Sequence, residues 1–138
     1  MRPAPEDVEV VSLATVALSK ENFDEVVRSN DVVLVDFWAA WCGPCRMFAP
    51  VFEKASEQHG DVVFAKVDTD AEQELAASLG IMSIPTLMAF REQVLLYAQP
   101  GALPPAALEE LITKVKELDM DAVRRQLAAR EDGSSPRS

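Results

Sequence analysis

A chain of 138 residues, 49% hydrophobic and 26% charged, can fill one self-sufficient core, and no apolar run approaches membrane-span length. The formal charge of −10 and pI near 4.5 argue against nucleic acid or an anionic membrane surface as partner, because phosphate binding needs clustered Lys and Arg. Residues 14–118 alone carry 8 basic and 16 acidic side chains, so the acidic excess belongs to the folded part and not to a tail.

The first residues, MRPAPEDVEVVSLATVAL, put Glu6, Asp7 and Glu9 ahead of any apolar stretch, unlike the basic start and long apolar centre of a secretory signal. The cytoplasm is therefore the expected compartment, where a close cysteine pair is reactive or metal-binding more often than a permanent bridge. Pro3 and Pro5 mark residues 1–13 as a loose arm. Residues 14–18 supply a first strand. Ser19 reads as the N-cap of a short helix whose apolar face is Phe23, Val26 and Val27, ending near Asn30. Residues 32–39 (VVLVDFWA) are nearly continuous in apolar, β-branched and aromatic side chains, which predicts a strand covered on both faces, as in a parallel sheet.

Beyond the cysteines, Phe48, Val51, Phe52 and Ala55 recur at helical spacing towards Gly60, and Pro50 is expected to kink that helix. Residues 62–67 make the next strand and residues 72–79 the next helix. Two strands, 86–91 and 94–98, predict an antiparallel hairpin about Glu92-Gln93, a turn without the Asn or Gly that two-residue hairpins prefer. Leu108, Leu111, Ile112 and Val115 mark a helix opened by Pro104 and Pro105. Met120, Val123 and Leu127 give one further short helix, and EDGSSPRS reads as a disordered tail. The alternation β-α-β-α-β-α-β-β-α predicts an α/β fold with a mixed sheet and helices on both faces.

The only two cysteines, Cys42 and Cys45, stand where a strand runs into a helix, in the sequence CGPC. At a helix start the backbone N–H groups are unpaired and the macrodipole is positive, so a Cys42 thiolate is stabilised. Residues three apart on a helix share one side, about 5–6 Å apart, within reach of a disulfide that opens and closes without refolding. Pro44 suits a first-turn position that needs no N–H, and Gly43-Pro44 stiffens the loop. A structural zinc site wants four N or S ligands. Against that stand two cysteines and one histidine, His59, about four turns down the helix and better placed to cap its C-terminal end. A permanent bridge is also weighed, but its four-residue loop constrains the unfolded chain least.

Asp36 sits inside the apolar strand, where its neighbours leave little room for an exposed face and favour burial. Burial raises a carboxylate's pKa and suits it to take a proton from a neighbouring thiol. Lys66, in FAKVD, reads equally as its counter-charge or as a solvated strand residue. Pro85, in SIPT, is permitted at a strand start, and local sequence does not establish a cis bond there.

DFWAAWCGPC, a proline in the following helix, AKVDTD and SIPT, in this order, resemble the thioredoxin family over residues 15–118. The resemblance implies a five-stranded mixed sheet of order 1-3-2-4-5 flanked by four helices. It divides the chain into an arm (1–13), the domain (14–118) and a C-terminal extension (119–138). It implies protein-disulfide reduction with Cys42 as exposed nucleophile, Cys45 as buried resolving thiol, Asp36 as proton acceptor and Lys66 as its partner. Trp41, Gly43, Pro44, Ile84, Pro85, Gly101 and Ala102 match the apolar rim on which disulfide-containing substrate proteins dock, with Pro85 at the family's cis-proline position. No bound cofactor or metal is expected; electrons are expected from NADPH through thioredoxin reductase, to a monomeric protein. A thioredoxin-fold adaptor that uses its thiols only as a switch is the alternative. Glu92-Gln93 at the hairpin turn, Pro100 before Gly101 and the extended ends depart from the family pattern.

Overall fold

Residues 32–37 are all buried, Asp36 included, in a strand that is otherwise apolar, and they form the central strand of the sheet. The computed structural model describes residues 14–131. The expected N-terminal arm and residues 132–138 of the expected tail lie outside them. In chain order the elements are β1 (Thr15–Ala17), α1 (Phe23–Ser29), β2 (Val32–Trp38), α2 (Gly43–Gln58), β3 (Val63–Asp68), α3 (Gln73–Ser78), β4 (Thr86–Arg91), β5 (Val94–Pro100), α4 (Pro105–Glu117) and α5 (Met120–Glu131). The strand order is β1-β3-β2-β4-β5, with β1 and β2 parallel to β3 and the pairs β2–β4 and β4–β5 antiparallel. This is the order that the resemblance implies. α5 is the further short helix, beyond the four that belong to the sheet.

Side chains alternate across a strand, and β2 uses both faces. Val33, Val35 and Phe37 pack with Phe23 and Val27 of α1 and Leu75 of α3. Leu34 packs on the other face with Phe48, Phe52 and Ala55 of α2 and Leu108, Ile112 and Val115 of α4. There Phe52 meets Phe64 edge-on with ring centroids 5.1 Å apart, the kind of contact whose truncation to Ala costs about 3–5 kcal/mol. Asp36 follows Leu34 by two, so it lies on the face that α2 covers.

Local expectations held with small changes. The N-cap of α1 is Asn22, not Ser19: Ser19 lies one turn upstream, where its carbonyl accepts from Asn22 and Phe23 and its N–H donates to Asn22 Oδ1 at 2.7 Å. α2 runs through Pro50 as one helix. The hairpin turn is the two residues Glu92 and Gln93, both at positive φ (50° and 74°), the left-handed region that non-glycine residues occupy only at a cost. Glu92 is braced: its N–H donates to Asp31 O at 2.7 Å, and its carboxylate meets Arg124 of α5 at 2.6 Å. Beside it, Arg91 Nη1 donates to the carbonyls of Val115, Lys116 and Leu118 at 2.8–3.0 Å, satisfying the unpaired C-terminal end of α4. Nothing in the sequence singles out Arg91 for this part. No helix among the described residues is long and apolar enough to cross a membrane.

Candidate active site

β2 ends at Trp38, and four residues later Cys42 takes extended backbone angles (φ −89°, ψ 116°) as the N-cap of α2. The Cys45 N–H, in the first turn, donates to Cys42 Sγ at 3.2 Å, so the sulfur receives one of the helix's orphan donors. Pro44 occupies the first turn, where no N–H is missed. Cys42 and Cys45 form a disulfide with Cα atoms 5.2 Å apart, as the three-residue spacing allows. Cys42 is not exposed as expected. It retains 5% exposure against 2% for Cys45, because the bridge ties its sulfur back among Ala39, Trp38 and Ile84.

The other rim residues arrive from distant chain positions. The Ile84–Pro85 peptide is cis, and Ile84 O lies 3.8 Å from Cys42 Sγ. Gly101, at the end of β5, donates its N–H to Pro85 O at 2.8 Å. Its φ of 110° is one that only glycine adopts readily. Trp41 is 67% exposed, with its indole N–H on Asp70 Oδ2 at 3.0 Å, which fixes the ring. Trp41, Ile81, Met82 and Ile84 line a shallow groove of about 360 Å³. Pro44 and Ala102 are exposed, Gly43 half-buried and Pro85 buried. A larger groove of about 530 Å³ between α2 and α4 includes none of these residues.

Asp36 is fully buried, and neither carboxylate oxygen has a hydrogen-bond partner. Desolvation therefore pushes its pKa up from 3.8 to about 7; Lys66 opposes the rise and Glu53 adds to it. Lys66 stands opposite Asp36 in the β2–β3 register, so both side chains lie on one face. It is not a direct ion-pair partner of Asp36. Its ammonium reaches Glu53 Oε2 of α2 at 3.3 Å and lies 5.1 Å from the centre of the Trp38 ring, because the long flexible stem carries it towards the surface. Glu53, Asp70 and Met82 were missed from sequence. For Glu53 a signal existed: it follows Cys45 by eight residues, two helical turns along one stripe.

His59 caps α2 through its backbone N–H to Ala55 O at 3.1 Å, and its ring meets Glu109 at 2.8 Å. It therefore lies at the end of the helix away from the cysteines. Among the described residues no three His, Cys, Asp or Glu side chains cluster as a metal site would require.

A redox pair at a helix start, a buried carboxylate on the strand beneath it and a cis-proline loop opposite define a thiol–disulfide oxidoreductase. The thioredoxin family model matches residues 14–114. A Streptomyces coelicolor relative named as a thioredoxin 2 is 58% identical over 118 residues, spanning 86% of this chain and 88% of that one. The Bacillus subtilis thioredoxin is 42% identical over 103 residues, 74% of this chain and 98% of its own. The solved structure of a point-mutant thioredoxin from Halobacterium salinarum superposes with a TM-score of 0.70 at 39% identity, covering 75% of this chain and 92% of that structure. The chain belongs to the thioredoxin family, has the thioredoxin fold, and is a protein-disulfide reductase working through Cys42 and Cys45.

Proposed function

We propose that the protein is a general reductant of cytoplasmic protein disulfides, acting as a monomer recharged by thioredoxin reductase with NADPH behind it. Residues 14–118 form the catalytic domain, residues 1–13 an arm and residues 119–138 an extension. The observation that carries the reading is the Cys42 sulfur at the N-cap of α2, 3.2 Å from the Cys45 amide nitrogen, where a thiolate is stabilised.

In the reduced protein, Cys42 thiolate attacks one sulfur of the substrate disulfide. A mixed disulfide forms and the first substrate thiolate leaves. Cys45 then gives its proton towards Asp36 and attacks the Cys42 sulfur, which expels the second substrate thiolate. Two electrons pass to the substrate, its two thiolates take up protons, and the protein is left as the Cys42–Cys45 disulfide. Lys66 tunes Asp36 electrostatically. Trp41, Gly43, Pro44, Ile84, Pro85, Gly101 and Ala102 hold the substrate chain against the rim, where exposed apolar surface suits docking.

Insulin reduction with dithiothreitol as electron donor tests the assignment. Cys42→Ser is expected to fall to the rate without protein. A loss no greater than that of a surface control would overturn Cys42 as the nucleophile.

A further inference from the structure

Two carboxylates compete for Lys66. Asp36 faces it across the β2–β3 register, and Glu53 meets its ammonium at 3.3 Å from α2. Glu53 lies on the stripe of α2 that begins at Cys45 and continues through Ala49, so the helix that bears the resolving thiol also bears this carboxylate. Lys66 is mostly buried (its side chain is 18% exposed), with its charge near the face of the Trp38 ring. Asp36 keeps both oxygens free of hydrogen bonds.

Among the described residues no other group competes strongly for Asp36. β4 sets Leu87 opposite it. Asp68, two residues beyond Lys66 on β3, has Oδ1 committed to the N–H groups of Asp70 and Ala71. Cys45, on α2, is the thiol that Asp36 is there to serve.

We infer that Glu53 is a positioning residue of the reaction: by holding the Lys66 ammonium it keeps Asp36 from being locked in an ion pair, and so able to exchange a proton with Cys45. The inference deepens the reading of Asp36 as proton acceptor and rests on it. A carboxylate bonded to an ammonium stays ionised and is a poor base near neutral pH. A bare one in an apolar setting accepts a proton readily. Glu53 thus acts twice in the same direction. Its own negative charge disfavours ionisation of Asp36, and it draws away the cation that would favour it. Being half-exposed, Glu53 makes this pair at modest desolvation cost, which a Lys66–Asp36 pair in the interior would not.

The test follows the Asp36 carboxyl by NMR titration in the full chain, alongside the pH profile of mixed-disulfide resolution. In Glu53→Gln the Asp36 midpoint should fall by about one pH unit, Glu53→Asp should recover it, and in a Lys66→Met background Glu53→Gln should move it much less. A purely structural Glu53 would change the melting temperature and leave the midpoint in place. An unmoved midpoint in Glu53→Gln, or a full shift without Lys66, overturns the inference. The kinetic arm isolates the underlying reading: if resolution keeps its pH profile in Asp36→Ala, Asp36 is not the acceptor, whatever the Glu53 titration shows.

Discussion

β2 and β4 each carry an ionisable side chain into the interior, Asp36 near the cysteines and Arg91 near the hairpin turn, and their surroundings differ sharply. Arg91 has acceptors at one end: its Nη1 donates to three carbonyls at the end of α4, while its buried Nε makes no hydrogen bond and has only the charge of Asp31 3.6 Å away. Those carbonyls are the ones a helix leaves unpaired, at the negative end of its dipole, so the guanidinium joins β4 to α4. Asp36 has no hydrogen bond at all and is held near neutrality with a pKa of about 7. A buried charge with its partners built in works as a fastener. A buried carboxylate left bare costs stability and titrates where biochemistry happens.

The largest effect expected from this contrast is in pH dependence. Below about pH 4 both the native and the unfolded chain hold the Asp36 proton, and the residue adds no pH-linked penalty. Between there and about pH 7 only the native chain holds it, so each rise in pH favours unfolding; above that the full penalty, about 4 kcal/mol, is present. Urea unfolding at pH 5 and pH 8 should therefore show the wild type losing stability towards pH 8, and Asp36→Asn should remove most of that slope. A wild-type slope that survives in Asp36→Asn would assign the penalty to another group.

Arg91→Met keeps much of the apolar stem and strips the donors. It should cost about 2 kcal/mol, nearly the same at pH 5 and pH 8, and leave insulin reduction by the folded protein unchanged. A strong pH dependence in that cost would erase the contrast between the two charges. A smaller gain is expected nearby. Replacing Glu92 by Asn and Gln93 by Gly relieves two left-handed non-glycine residues and gives up the surface pair with Arg124. Stability should rise by about 1 kcal/mol in the same urea assay. A net loss would mean that Arg124 anchors α5 through Glu92 more strongly than an exposed pair normally does.

The same contrast marks how far sequence reading reached. Apolar continuity named β2, helical spacing named α2, and the thiols at their junction placed the chemistry. Asp36 was conspicuous because a carboxylate breaks an apolar run. Arg91 was invisible because a cation at a strand end looks like any solvated residue, and its partners are backbone carbonyls about 25 residues away. Lys66 was read as the partner of Asp36, and its ammonium pairs elsewhere. Register put it opposite Asp36, while the reach of its stem and the helix above decided where the charge went. The hairpin length stayed open because Glu92 and Gln93 lack turn chemistry; Asp31 and Arg124, distant in sequence, supply the bracing.

The central claim is that the bare carboxylate serves the second thiol. Stopped-flow measurement of mixed-disulfide formation and resolution in Asp36→Ala tests it most directly. Resolution by Cys45 should slow substantially at neutral pH while attack by Cys42 proceeds close to the wild-type rate. Equal slowing of both steps would contradict it.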